Sequence, residues 1–443
     1  MLSGAWSHKF FVFMNGKEKI VIIGGGFAGL NLIKCLDKKK FDITLIDRNN
    51  YHSFPPLFYQ VASSGLDPAS ISFPFRREMR KSRARGARFN MGEVRHIDTV
   101  RHTVTTEFET IGYDKLVIAA GTTNNFFNMP QLHRSVYTLK SIPEALRCRN
   151  EILDRLERAA ITRDTGKRRR LLSFVVIGGG PTGVEIAGAL GEMKRYILRR
   201  EYPTISLDDM RITLLEGGDS LLRAMSSKAS VEARRYLSDL MVDVRTGIVM
   251  TDYDNDRVTL SDGSTIYSGM VIWTAGVTGT PIEMTGRAVS RGAGNRIIVD
   301  GYNRVEGVDD IFAVGDIALM TADPDFPHGH PQLAQVAIQQ ARVLARNLNA
   351  GRCHRQFRYR DKGSMATVGR NRAVADLKHI HMSGYPAWLA WMLVHLISIL
   401  GMRNKVTVLI NWLWAYFTYG TSLRLLIHPT RYPLRERWGE HKR

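Results

Sequence analysis

The residues of this sequence with a bearing on chemistry are mostly glycines, acids and amides, and their spacing carries more than their reactivity. Gly24, Gly26 and Gly29 stand in GxGxxG spacing directly after the apolar run "KIVII", and Gly178, Gly180 and Gly183 repeat it after "SFVVI". Each trio is followed by a second apolar run that ends on an acid, "ITLI" before Asp47 and "RITLL" before Glu216. In such a unit the first glycine makes a tight turn, the second lets a pyrophosphate approach the backbone, and the third lets helix and strand pack closely. The acid then stands where an adenosine ribose can give it hydroxyl hydrogen bonds. One GxGxxG is a weak signal. Two complete strand–helix–strand units, each closing on an acid, point to two bound dinucleotides.

Other spacings extend this pattern. "VDDIFAVGDIA" reads as a buried strand that delivers Asp316 to a turn, a place suited to the ribityl hydroxyls of a flavin. Gly121 in "DKLVIAAGT" and Gly276 in "GMVIWTAGV" close two more strands and mark where the chain passes between two nucleotide domains. In "AQVAIQQ", Gln335 and Gln339 lie one helical turn apart on one face, with Gln332 three residues earlier. Two readings stay open for that face: the polar side of a surface helix, or amides lining a pocket. A helix beginning near Pro331 is expected to aim its positive end at the anionic part of a reduced flavin. The 13 histidines form no ligand spacing such as HExxH, so no metal site is expected. Cys35, Cys148 and Cys353 form no CxxC pair.

The elements that must position these groups follow from composition and pattern. A chain of 443 residues with 44% hydrophobic content has room for two or three domains with sizeable cores. The expected fold class is α/β, with two Rossmann-like dinucleotide-binding domains, the second inserted in the first as the family resemblance given below implies, and a C-terminal amphipathic helical region that anchors to a membrane. Lys plus Arg is 62 against 42 for Asp plus Glu, a formal charge of +20 that calls for an anionic partner. Nucleic acid is disfavoured because the basic residues are dispersed and no recognition motif is present. "GKRRR" at 166–170 reads as a solvated loop before a strand.

The tail supplies the other anionic partner, a membrane surface. Residues 385–400 and 406–423 are two apolar stretches without formal charge, each at or below the roughly 18 to 20 residues that span a bilayer. Trp388, Trp391, Trp412, Trp414, Tyr416 and Tyr419 are of interfacial type, and Arg403, Lys405, Arg424, Arg431, Arg435 and Arg437 flank them. Helices lying in the interface are preferred to core or dimer-packing helices and to a spanning hairpin. The N-terminal "FFVFM" is too short for a signal-peptide core, and residues 1–13 ahead of Met14 read as a frayed or a mis-assigned start.

In this order the pieces resemble the two-dinucleotide-binding-domain flavoprotein superfamily. Within it, "NYHSFPPLFYQVASSGL" (50–66), "GGGPTGVEIAGAL" (178–190), "QLAQVAIQQ" (332–340) and "DKGSMATVGRNRAVADL" (361–377) look like type II NADH dehydrogenases, the single-subunit NADH:quinone oxidoreductases that pump no protons. The resemblance implies an FAD domain formed by 14–125 and 281–378, an NADH domain at 126–280, and a membrane region at 379–443. It implies FAD, NADH and a membrane quinone, ubiquinone or menaquinone, as cofactors and substrates. Glu185, Gln335 and Gln339 would serve the flavin and quinone side, while Glu185 read alone could equally complement its helix dipole. Glu216 favours NADH by repelling a 2′-phosphate, whereas Arg211 and Arg223 pull the other way. A homodimer on the cytoplasmic face of a bacterial inner membrane is the expected setting. The alternatives are a sulfide:quinone oxidoreductase-like use of Cys148 and Cys353, and a non-catalytic NADH-sensing flavoprotein.

Overall fold

Apolar runs with no polar alternation make strands buried on both faces, the habit of parallel sheets covered by helices. The computed structural model describes residues 16–81, 83–378, 380–418 and 423–426. Met14, Tyr419, Arg431, Arg435 and Arg437 lie outside the described residues. The chain divides into two units, one made of Met1–Phe54, Ser72–Asn125 and Gly276–Gly363, the other of Pro55–Ile71, Phe126–Ala275 and Ser364–Arg443.

The first unit holds a five-stranded parallel sheet in the order Ile311–Ala313, Lys115–Ile118, Glu18–Ile23, Phe41–Asp47, Arg88–Met91. Successive residues of Glu18–Ile23 point to opposite faces. Ile20 and Ile22 join Leu32 and Ile33 of the helix Phe27–Cys35 and Ala341 and Leu344 of the helix Ala334–Asn349 in one core. Val21 and Ile23 join Leu116, Ile118, Ile297 and Ile317 in another. Each buried valine, leucine or isoleucine among them is worth roughly 1.5–3 kcal/mol.

The second unit repeats the design with Tyr137–Thr138, Met270–Trp273, Ser173–Ile177, Arg211–Glu216 and Asp243–Thr246, all parallel neighbours in that order. In both sheets the strand that precedes the glycine loop lies between the next strand and one from much later in the chain. The strand order therefore reverses beside each loop, where open α/β sheets bind ligands. The second unit also carries an antiparallel sheet of Ser364–Thr367, Ala373–Leu377 and Ile380–Ser383, then the helices Gly384–Ser398 and Met402–Thr418. Among the described residues, no helix is long and apolar enough to cross a membrane.

Several local expectations are corrected. Residues 55–71 and 364–378 cluster with the second unit instead of the first. Phe58, Tyr59, Val61 and Ala62 of the short helix Phe58–Ala62 are buried there against the helices Ile142–Ile161 and Pro181–Glu192. "GKRRR" forms most of a short helix, Thr165–Leu171, capped by Asp164. Its Arg168 and Arg169 both pair with the buried Asp209, at 2.8 and 3.1 Å, so the run is held by an acid the sequence reading overlooked. The late glutamine helix begins at Ala334, just after Pro331, with extended Leu333 as its N-cap.

Candidate functional site

The two glycine loops are built alike. Gly24 and Gly178 adopt φ of +97° and +105°, the left-handed region that glycine reaches without strain. A Cβ on Gly29 would strike the Gly24 carbonyl oxygen, and one on Gly183 would strike that of Gly178, so these residues must be glycine for helix and strand to approach. A Cβ on Gly26 or Gly180 would meet nothing within 4 Å. Both middle residues are N-caps with no side-chain cap and no acid in the first turn, which leaves their helix N–H groups for an anionic ligand. Tight packing at first and third glycine, with space at the second, fits a pyrophosphate in each unit.

The acids are tied into the loops. Asp47 Oδ2 accepts from Gly25 N at 2.7 Å and Oδ1 from Asn49 N at 2.8 Å. Glu216 Oε2 accepts from Gly179 N at 2.6 Å and Oε1 from Gly218 N at 2.7 Å. Burial lifts the Asp47 carboxyl above the usual range, with the Gly25 and Asn49 amides opposing it. His52 is an addition that the sequence reading missed. Its Nδ1 lies 2.9 Å from the Gly25 carbonyl, and burial lowers its pKa to about 4, so the ring is neutral and Nδ1–H donates. It sits in "NYHSFPP", the stretch that carried the resemblance, which was the signal available.

Gly121 and Gly276 have φ of +67° and +69° and flank the antiparallel pair Thr122–Asn124 and Val277–Gly279, the two passages of the chain out of the first unit and back. Asp316 lies half-buried in the turn Gly315–Ile317. Gln340, the third glutamine of "AQVAIQQ", is buried, and its Oε1 accepts from Gly315 N at 2.7 Å, fixing the peptide ahead of Asp316. Gln332 precedes the helix and donates to the Asp316 carbonyl at 3.4 Å. Gln335 Nε2 donates to Gly363 O at 3.1 Å while its Oε1 accepts from Lys362 N at 3.2 Å. Gln339 makes the equivalent pair with Arg360, at 2.9 and 3.1 Å. The amides that were expected to face a ligand thus also hold the segment 360–363.

Glu185 lies in the helix Pro181–Glu192 and is 7% exposed. Burial holds its carboxyl well above the usual carboxylate range, and the Thr367 backbone and the Trp391 indole only partly counter that. The Trp391 Nε1–H, itself buried, stands near this carboxyl without closing a full hydrogen bond. Tyr59 lies edge-on to Trp391, with ring centroids 6.5 Å apart, and its Oη accepts from Gln60 Nε2 at 2.8 Å. The Gln60 side-chain Oε1 in turn accepts from the Trp412 indole Nε1–H at 2.8 Å. His395 stacks on Trp391 at 4.0 Å, and burial lowers its pKa to about 4. Trp391 and Trp412 were expected at a membrane interface; they face inward because each indole N–H is directed at a polar group of this unit.

Cys148 is fully buried in the helix Ile142–Ile161, where burial pushes its thiol pKa up, while Cys353 is exposed and belongs to the other unit. A buried, protonated thiol is a poor nucleophile. The tail helices expose apolar side chains, among them Leu393, Ile397, Val406, Ile410, Leu413 and Phe417.

Comparison with known proteins is consistent along the chain. Residues 18–341 match the pyridine nucleotide-disulphide oxidoreductase family, and 362–419 match the NDH2 C-terminal domain. The type II NADH:quinone oxidoreductase NdhA of Mycobacterium tuberculosis is 34% identical over 414 residues, 90% of this chain and 87% of that protein. The type II NADH:quinone oxidoreductase Ndh of the same organism is 35% identical over 419 residues, 89% of this chain and 87% of that protein. The fold matches that of NDH2 from Plasmodium falciparum solved in complex with NADH, with a TM-score of 0.84 at 22% identity, covering 93% of this chain and all of that one. With its paired glycine loops and their tethered acids, the chain belongs to the pyridine nucleotide-disulphide oxidoreductase family and, within it, to the type II NADH:quinone oxidoreductases.

Proposed function

We propose that the protein oxidises NADH and reduces a membrane quinone, with FAD in the first unit and NADH in the second. The observation that carries this reading is the pair of matched loops, each with an open middle glycine and a tethered acid, in a chain similar over about nine-tenths of its length to type II NADH:quinone oxidoreductases. FAD, when bound, supplies the two-electron chemistry. The protein binds and orients: Asp47 and Glu216 take the adenosine riboses, and Gln340 sets the Gly315 peptide that presents Asp316.

The reaction NADH + H⁺ + quinone → NAD⁺ + quinol consumes one proton beyond the hydride. Glu185 is the group in this reading that holds a proton, at its carboxyl, since burial favours the neutral form. Gln335 and Gln339 position the 360–363 segment, and each amide keeps a second N–H and a second carbonyl lone pair for the quinone side. The exposed apolar side chains of the two tail helices support peripheral attachment to a membrane, with the basic excess of the chain favouring an anionic surface. A homodimer on the cytoplasmic face of a bacterial membrane completes the proposal.

The test mixes the FAD-loaded protein with NADH and a short-chain quinone and follows NADH absorbance. Quinone-dependent loss is expected; flavin reduction by NADH with no transfer to quinone would leave only the NADH-sensing alternative.

A further inference from the structure

The polar side of the last described helix lines a cavity that the proposed reaction does not use. It measures about 330 Å³ and is lined by Asp67, Ser70, Arg403, Asn404, Asn411 and Trp414, among others, all within the second unit. A second groove, of about 300 Å³, is lined by Ile410, Leu413, Trp414, Phe417 and Thr418, so it is almost wholly apolar. Trp414 borders both and is 65% exposed. A cavity with polar and charged lining and an apolar groove that share one tryptophan suit the two ends of an amphipathic molecule.

The charges narrow the class. Arg403 is exposed and makes no hydrogen bond or ion pair among the described residues. It stands in the first turn of the helix Met402–Thr418, which carries no acid there, so a positive helix end and a free guanidinium share one side of the cavity. A phosphate answers both. Asp67 lies on the same cavity, and one of its oxygens, Oδ1, accepts from Ala69 N at 2.7 Å. Its charge also faces the buried Arg149. The other oxygen is left for a donor, which a primary ammonium supplies and a quaternary one does not. A neutral quinone would leave the Arg403 charge unanswered and bring no N–H donor to Asp67.

We propose that this cavity and groove bind one membrane phospholipid with a phosphoethanolamine head: phosphate at Arg403 and the helix start, ammonium at Asp67, glycerol beside Trp414, and an acyl chain along Ile410, Leu413 and Phe417. The proposal rests on the peripheral-membrane reading above and adds headgroup selectivity to it.

The test measures flotation of the FAD-loaded full chain with vesicles of phosphatidylcholine alone, or with part of it replaced by phosphatidylethanolamine or by phosphatidylglycerol. Ethanolamine vesicles are expected to bind on the order of tenfold more tightly than choline-only vesicles, the return of about one charge-assisted hydrogen bond. Asp67→Asn should abolish that margin, and Arg403→Gln, at an exposed position, should weaken binding to ethanolamine and choline vesicles alike. Bromine-labelled acyl chains in phosphatidylethanolamine should quench fluorescence of the protein, and Trp414→Phe should remove most of that quenching. Equal binding to ethanolamine and choline vesicles overturns the proposal, as does an ethanolamine preference that survives Asp67→Asn, vesicle binding unchanged by Arg403→Gln, or displacement of the labelled lipid by a short-chain quinone. Enhancement by phosphatidylglycerol alone would reduce the site to an anion contact and also overturns it. Binding to no vesicle at all overturns the membrane reading itself.

Discussion

Gln339 pairs with the backbone of Arg360 at both ends of its amide, Nε2 donating to the carbonyl and Oε1 accepting from the N–H, as one peptide group pairs with another in a sheet. Gln335 does the same with Lys362 and Gly363 one turn earlier. Gln339→Glu keeps the acceptor, loses the donor, and sets a carboxylate against the Arg360 carbonyl. A loss of about 1–3 kcal/mol in urea unfolding is expected, with Gln339→Leu closer to the lower end. A variant that unfolds like the parent while losing only quinone reduction would show that the ligand-facing half of the amide is what matters.

The open and closed glycines separate folding from cofactor retention. Gly29→Ala forces a methyl against the Gly24 carbonyl and should cost about 1–3 kcal/mol of stability or more. Gly26→Ala meets no protein atom, so thermal unfolding of the flavin-free protein should hold while the flavin-to-protein absorbance ratio falls.

Glu185 makes a prediction about pH. Its folded pKa is raised above the unfolded value by burial, so between those values the folded protein holds a proton that the unfolded chain has released. Stability from this group is therefore greatest below the unfolded pKa and falls as pH rises toward the folded one, by at most about 1.4 kcal/mol per pH unit for one proton. Glu185→Gln is neutral throughout. Urea unfolding at pH 5.5 and 8 should show the variant gaining on the parent as pH rises; a constant difference would mean that the carboxyl titrates normally.

Glu216 spends both oxygens on the loop as well as standing at the proposed ribose position. Glu216→Gln replaces one acceptor by a donor facing a backbone N–H. NADH kcat/KM is expected to drop roughly tenfold or more, equivalent to 1.5–3 kcal/mol, without efficient NADPH oxidation in exchange. Steady-state kinetics with both nucleotides decides this.

Replacing Cys148 and Cys353 by Ser should leave NADH:quinone turnover unchanged and reveal no sulfide-dependent flavin bleaching, because one thiol is buried and protonated and the other is exposed in the other unit. Loss of turnover in Cys353→Ser would reopen the sulfide alternative.

The parts legible in sequence were those with short-range causes. Gly24, Gly29, Gly178 and Gly183 announce themselves because one steric demand fixes one residue type. Both parallel sheets follow from unbroken apolar runs, and each run closes on its acid. The Glu185 surroundings were not legible, since Tyr59, Gln60, Trp391 and Trp412 come from segments more than 100 residues apart and no spacing relates them. Gln340 was passed over because its neighbour Gln339 has the more regular helical spacing to Gln335. Trp391 looked interfacial for the same reason: composition reports what a side chain prefers, and the partner that turns it inward is visible only in three dimensions.

The double engagement of Glu216 bears on how nucleotide preference can drift in descendants of this sequence. An acid that served only the ribose could be exchanged in one mutational step. Here the same carboxylate knots Gly179 and Gly218 together, so any exchange loosens the turn proposed to cradle the phosphates before it opens room for a new charge. A lineage turning to NADPH would first have to acquire substitutions that hold the turn without the acid. The tether thus acts as a historical ratchet on coenzyme choice.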